Sequence, residues 1–249
     1  MCGRYTLVNL KAFVDALPHP VLFDAAADNP PRYNIAPTQE APVVVFRPPS
    51  QPGLPAPWRL ERARWGLVPS WAADPSIGQR MINARAETVA EKPAFRDALK
   101  RRRCLVPADG FYEWTGRGEE GRAQPASRGG ATPASARRQP YYLRLRGGVP
   151  FAFAGLWEVW RPRDAPHAPP LVSYTLLTTT PNELVRPLHD RMPVILHPDH
   201  YRTWLESTDL DRVLGLLRPY DADAMEAYPV TPRVGNPRHD DPTNILPLT

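Results

Sequence analysis

The sequence predicts a single α+β domain built on mostly antiparallel sheet with short peripheral helices, and three observations lead there. The 249 residues include 33 prolines, each of which fixes φ and removes a backbone donor, favouring short strands and turns over long helices. Apolar residues alternate with polar ones, or run together, in short stretches that suit half-buried or deeply buried strands. Helical periodicity is confined to brief segments, and no internal repeat is present.

Leu10, Phe13, Val14 and Leu17 fall at i, i+3, i+4 and i+7, which predicts an amphipathic helix over 10–17 stopping at Pro18. The proline-rich crossing from Asn29 to Thr38 is expected to be irregular. Strands are predicted over Ala41–Arg47, Arg62–Val68 and Arg80–Arg85. Residues 87–101 read as helical despite Pro93, ending in Lys100-Arg101-Arg102-Arg103, where cations suit a solvated helix C-terminus. Cys104–Pro107 and Gly110–Trp114 resume the strand pattern. Residues 115–139 are dominated by Gly, Arg, Ala, Ser and Pro and are expected to form a mobile insert within the domain. Beyond it, Tyr141, Leu143 and Leu145 alternate with Tyr142, Arg144 and Arg146 as in a half-buried strand. Phe151–Trp157 and Leu171–Thr180 look more deeply buried. Short helices are expected at 181–186, 198–206 and 209–217. The domain is placed at 1–230, with a proline-rich tail over 231–249.

Composition narrows the function classes. There is no basic segment followed by an apolar run of signal-peptide type and no apolar stretch of membrane-spanning length, so a cytoplasmic protein without a membrane partner is expected. Two cysteines, Cys2 and Cys104, make no disulfide framework, and no CxxC or HExxH suggests a metal, so neither metal nor cofactor is expected. Cys104, inside an apolar run, reads as a packed and inert thiol. A net charge of +5 leans weakly towards a polyanionic partner.

The chemistry begins at Met1-Cys2-Gly3-Arg4. Removal of Met1 would leave Cys2 with a free α-amine beside its own thiol, with reference pKa values of about 8 and about 8.5. Such a 1,2-aminothiol condenses with an aldehyde to an iminium and then closes a five-membered thiazolidine. The alternative is a chance cysteine on a disordered tail. Three later polar residues sit in apolar company. Asn83 lies between Ile82 and Ala84, Glu113 between Tyr112 and Trp114, and His189 between Leu188 and Asp190. A glutamate buried among aromatics has a raised pKa and suits general acid or base work near neutrality, whereas on an edge strand it simply points outward. His189 and Asn83 likewise have structural readings.

Several stretches carry a family resemblance: Met-Cys-Gly-Arg-Tyr-Thr at 1–6, Arg-Tyr-Asn-Ile-Ala-Pro-Thr at 32–38, Trp-Gly-Leu-Val-Pro-Ser-Trp at 65–71, Ile-Asn-Ala-Arg-Ala-Glu-Thr at 82–88, Arg-Cys-Leu-Val-Pro-Ala-Asp-Gly-Phe-Tyr-Glu-Trp at 103–114, Phe-Ala-Gly-Leu-Trp-Glu at 153–158 and Leu-His-Asp-Arg-Met-Pro-Val-Ile-Leu at 188–196. In order and together they resemble the SRAP family, the SOS-response-associated peptidase or abasic-site processing proteins, from residue 1 to about residue 230. The insert at 115–139 departs from that pattern. The resemblance implies a barrel-like sheet core and a sensor of abasic sites in single-stranded DNA that crosslinks to the lesion through Cys2. It implies proton transfer by Glu113 and His189, orientation by Asn83, phosphate contacts by Arg4 and Arg85, a backbone contact by Asn34, and stacking or wedging by Trp71, for which a core position is the alternative. It also implies removal of the protein's own Met1 and a weak lyase side activity. A monomer is expected. Two other classes stay open on the residues alone. One is a glutamine amidotransferase or hydrolase with an N-terminal cysteine, which also opens Met-Cys-Gly. The other is a non-covalent single-strand binding module.

Overall fold

A computed structural model of the chain describes residues 2–23, 29–47, 58–115, 138–165 and 167–248. Among these residues the strands are β1 (Tyr5–Leu7), β2 (Val21–Phe23), β3 (Arg32–Ile35), β4 (Glu40–Phe46), β5 (Trp58–Trp65), β6 (Asn83–Arg85), β7 (Arg103–Ala108), β8 (Gly110–Trp114), β9 (Pro140–Leu145), β10 (Phe151–Trp160), β11 (Leu171–Thr179), β12 (Met192–Pro193), β13 (Ile195–Leu196) and β14 (Met225–Pro229). The helices are α1 (Leu10–Asp15), α2 (Arg96–Arg101), α3 (Tyr201–Glu206) and α4 (Leu210–Leu214), with short 3-10 turns between elements. The insert expected at 115–139 falls largely on residues 116–137, outside the described residues.

Five strands close on themselves. β5, β4, β7, β10 and β11 pair in sequence, antiparallel at each step, and a parallel pairing of β11 with β5 (Ser173 with Arg64, Tyr174 with Trp65) completes the barrel. Closure removes the edges that an open sheet would leave. β6 extends the barrel wall beyond the end of β5, pairing Asn83 with Leu176 on β11. A second sheet, in the order β14-β9-β8-β1-β3, lies against it. The two share one core. The Tyr5 ring meets Trp65 at 5.3 Å and Phe153 at 5.8 Å edge-on, and Phe111 meets Phe153 at 6.0 Å, geometries that suit aromatic quadrupoles.

Several local expectations shift. β3 occupies the crossing expected to be irregular; it works because it is an edge strand paired only with β1, and its prolines lie just outside the strand at Pro30, Pro31 and Pro37. The strand expected at 62–68 is β5, which ends at Trp65 because Gly66 takes φ +125°. A Cβ there would sit 2.6 Å from the Gly78 carbonyl oxygen, so only glycine fits. The helix expected over 87–101 shrinks to α2, since Pro93 allows only turns before it. Residues 183–188 form turns rather than a helix, and β14 adds a strand near the end of the domain where none was anticipated.

The last residues pack closely. Val230 and Val234 are buried with Tyr112 and Tyr142, and Asn244 is fully buried. Tyr142 therefore faces a second small core, which is why β9 is covered on both faces instead of alternating cleanly.

Candidate active site

The chain's beginning is stitched to β8. The Tyr112 amide donates to the Arg4 carbonyl at 3.0 Å, the Asp109 amide donates to the Thr6 carbonyl at 3.0 Å, and the Asp109 carboxylate accepts from the amides of Val8 and Asn9. Asp109 stands at the bend between β7 and β8, so one carboxylate sets both the turn and the register of β1; its Ala-Asp-Gly setting was the only sequence signal of this.

This register places Cys2, fully buried, next to Glu113. Burial pushes the Cys2 thiol well above its ordinary value, and the Glu113 carboxylate pushes it further, so the thiol is protonated at neutral pH. Glu113 is 3% exposed, and burial raises its carboxyl from 4.5 to about 7. It is thus poised to give or take a proton near neutrality. Asp190 adds to that rise, bringing the loop that carries His189 into the same electrostatic neighbourhood.

Asn83, at the start of β6, donates its amide to the Cys2 carbonyl at 2.8 Å. Its Oδ1 is buried without a hydrogen-bond partner among the described residues, leaving an acceptor beside the reactive residue. His189 is half-buried, and burial lowers its pKa, favouring the neutral imidazole. Its Nδ1 lies 3.0 Å from the Arg191 amide and 2.7 Å from the Asp190 carboxylate. The neutral ring accepts from the amide through that nitrogen, and the protonated ring pairs with the carboxylate. Arg191 in turn grips Glu87 through two hydrogen bonds of 2.7 and 2.8 Å and the Thr178 carbonyl at 2.6 Å, fixing the loop against the strand end that follows Asn83.

The four residues expected at a binding surface divide. Arg85 is exposed two residues beyond Asn83, and Trp71 is 52% exposed on the turn after β5. Arg4 and Asn34 face the C-terminal segment instead. Arg4 donates to the Asn34 Oδ1 at 3.0 Å and to the carbonyls of Val234 and Gly235 at 2.6 and 3.0 Å. Asn34 is fully buried, and its amide is used by the carbonyls of Val234, Asn236 and His239. Asp240 closes the latch by accepting from the Arg32 side chain and the Tyr33 amide. Trp65 is a core residue, donating to the Ile82 carbonyl at 2.8 Å, and Cys104 is buried.

Sequence reasoning did not single out Tyr5 and Tyr174, whose buried hydroxyls share a 2.7 Å hydrogen bond beneath Cys2. Among the described residues no cluster of His, Cys, Asp or Glu could hold a metal ion, and no helix is long and apolar enough to cross a membrane.

The family described as SOS response associated peptidase (SRAP) matches residues 1–237. The chain is 41% identical over 249 residues to the abasic site processing protein YoqW of Bacillus subtilis, covering 98% of this chain and 99% of that one. It is 34% identical to the abasic site processing protein HMCES of Gallus gallus, covering 88% of this chain and 66% of that protein. A crystal structure of a Bacteroides thetaiotaomicron protein shares the fold with a TM-score of 0.75 at 23% identity, over the full length of both chains.

Proposed function

The chain belongs to the SRAP family, and from that membership we propose that it processes abasic sites in single-stranded DNA by crosslinking itself to them through Cys2. The observation that carries the reading is the Asn83 amide on the Cys2 carbonyl at 2.8 Å, beside a glutamate whose carboxyl titrates at about 7. A ring-opened abasic deoxyribose presents an aldehyde at C1′, and the site combines a nucleophile, a proton carrier and an orienting amide around one residue.

The steps balance. After Met1 is removed, the Cys2 amine attacks C1′ to give a carbinolamine. Protonated Glu113 delivers its proton to the hydroxyl, which leaves as water, and the C=N bond of an iminium forms. The Cys2 thiol then gives its proton to the Glu113 carboxylate while its sulfur bonds to the same carbon. One water is lost overall, the Glu113 proton is restored, and a thiazolidine joins protein and sugar. Burial keeps the thiol protonated until the iminium exists, so the amine acts first. His189, neutral at pH 7, assists opening of the sugar ring, and the free Asn83 Oδ1 accepts from the reacting centre.

Arg85 and Trp71 supply a phosphate contact and a stacking surface. Arg4 acts near the phosphates through its remaining exposed edge, with Asn34 holding it in place. The same nucleophile and acid account for autoproteolytic loss of Met1. Where the thiol fails to trap the iminium, β-elimination gives a weak lyase activity. The test is denaturing electrophoresis of the trimmed protein with single-stranded DNA containing one abasic site. A denaturant-resistant shifted band that requires both the lesion and Cys2 supports the reading; a Cys2→Ala protein that forms the same band sinks it.

A further inference from the structure

β1 is three residues long and meets β8 at two residue pairs, Tyr5 with Phe111 and Thr6 with Gly110. A ladder so short specifies its register weakly on its own. The separation of Cys2 from Glu113 nevertheless depends on that register, because Cys2 lies four residues before Thr6 and Glu113 three residues after Gly110. Asp109 holds one end of β1 at Val8 and Asn9, and Tyr5 and Phe111 grip the pairing from the side of the main core. A further grip lies on the opposite face.

Tyr142 stands opposite Tyr112 on β9, and its side chain runs across β8 to β1. Its hydroxyl lies 2.8 Å from the Thr6 hydroxyl, which donates in turn to the Gly110 carbonyl at 3.4 Å. Thr6 Oγ1 is the one acceptor for the Tyr142 proton among the described residues, so donation runs from Tyr142 to Thr6 to Gly110. Gly110 makes the crossing possible: a Cβ there would overlap the Tyr142 ring and hydroxyl. Thr6 and Tyr142 are both buried, so water neither competes for their bond nor replaces it once lost. The Tyr142 ring is itself fixed. It meets Tyr112 at 5.1 Å and Tyr228 at 5.8 Å, and Val230 and Val234 close the same small core. One hydroxyl therefore ties β9, β8 and β1 together, and through it the C-terminal segment bears on the strand that follows Cys2.

We infer that Tyr142 is a positioning residue for crosslinking: bonded to Thr6 across Gly110, it fixes β1 on β8 and so holds Cys2 at its working distance from Glu113. The inference rests on the reading of Cys2 as the nucleophile. Tyr142 is buried and reaches neither a reacting atom nor a DNA strand. It therefore acts on the rate of the bond-forming steps and leaves strand affinity alone.

Single-turnover crosslinking of the trimmed protein to abasic single-stranded DNA, followed across strand concentrations, separates maximal rate from half-saturation. Amide hydrogen exchange without DNA reads the register lock itself. Tyr142→Phe keeps the ring and removes the hydroxyl. It should lower the maximal rate at least about tenfold, since a misplacement of about 1 Å can cost about a hundredfold, with half-saturation unchanged. Exchange of the Tyr112 amide, which donates to the Arg4 carbonyl, should quicken. Thr6→Ser keeps a hydroxyl and should react nearly as fast as the wild type, whereas Thr6→Val should be slowed. The double variant should be no slower than Thr6→Val alone, because both changes act through one bond. An unchanged maximal rate in Tyr142→Phe, a loss confined to half-saturation, or a Thr6→Ser protein as slow as Thr6→Val overturns the inference. If the wild type itself forms no crosslink, the reading of Cys2 fails. Exchange then still decides the role of Tyr142, and a Tyr112 amide no faster in Tyr142→Phe overturns it.

Discussion

Replacing Glu113 with Gln separates a buried acid from its environment, and the structure sets the size of the effect. The folded protein holds this carboxyl at about 7 against an ordinary value of 4.5. Below the ordinary value both folded and unfolded chains carry the proton, and the group makes no difference to stability. Between the two values only the folded chain is protonated, so stability falls as pH rises through the window. Above about pH 7 the folded state holds an ionised carboxylate in a nearly water-free site. The displacement corresponds to about 3 kcal/mol, at about 1.4 kcal/mol for each pH unit. Glu113→Gln is neutral throughout and lacks this penalty. Urea unfolding at pH 5 and pH 8.5 should therefore show the wild type losing about 2.5 kcal/mol more than the variant across the interval. The same variant should crosslink at least about a hundredfold more slowly at pH 7, the scale of a lost general acid. Parallel stability profiles for the two proteins would refute the assignment of a desolvated, proton-carrying Glu113.

Asn83→Ala removes the amide on the Cys2 carbonyl and should slow crosslinking by about tenfold, the equivalent of one hydrogen bond; an unchanged single-turnover rate would count against an orienting role. Trp71→Ala, at a half-exposed position, should leave the melting temperature nearly unmoved while weakening single-strand affinity by about tenfold or more, read by fluorescence anisotropy with an undamaged strand. Asp240→Asn weakens the latch on Arg32 and Tyr33, costing about 1–2 kcal/mol. Hydrogen exchange should then quicken over residues 232–248, and exchange as slow as in the wild type would show that the latch contributes nothing.

The strands of the barrel were legible in the sequence because they are buried on the inside and say so, whereas the barrel itself was implied only by the family resemblance. Val43, Val44 and Val45 on β4 and the run Phe151–Leu156 on β10 are almost free of polar interruption. Closure was not legible, because the parallel step from β11 to β5 joins strands more than a hundred residues apart and leaves no local pattern. How the C-terminal segment is held was not legible, for a different physical reason. It is held by side chains hydrogen-bonding to backbone carbonyls, Asn34 and Arg4 above all, and hydrophobic periodicity carries no trace of such bonds. β3 hid behind its prolines, which an edge strand tolerates at its ends. At the site, Cys2 stood out as an N-terminal aminothiol and Asn83 and Glu113 as polar residues in apolar surroundings, and the fold brings those three together. Arg4 and Asn34 stood out through the family resemblance alone, and their neighbours are the chain's own carbonyls.

Thiazolidine formation would leave both nucleophiles of Cys2 on one carbon. Mass spectrometry of the N-terminal peptide from the crosslinked protein, after nuclease digestion and treatment with iodoacetamide, tests it most directly. The expected product is a peptide beginning at Cys2 that carries the sugar remnant less one water, with a thiol that does not alkylate and no free α-amine. A crosslinked peptide whose Cys2 thiol alkylates, or a sugar remnant on any other residue, would contradict it.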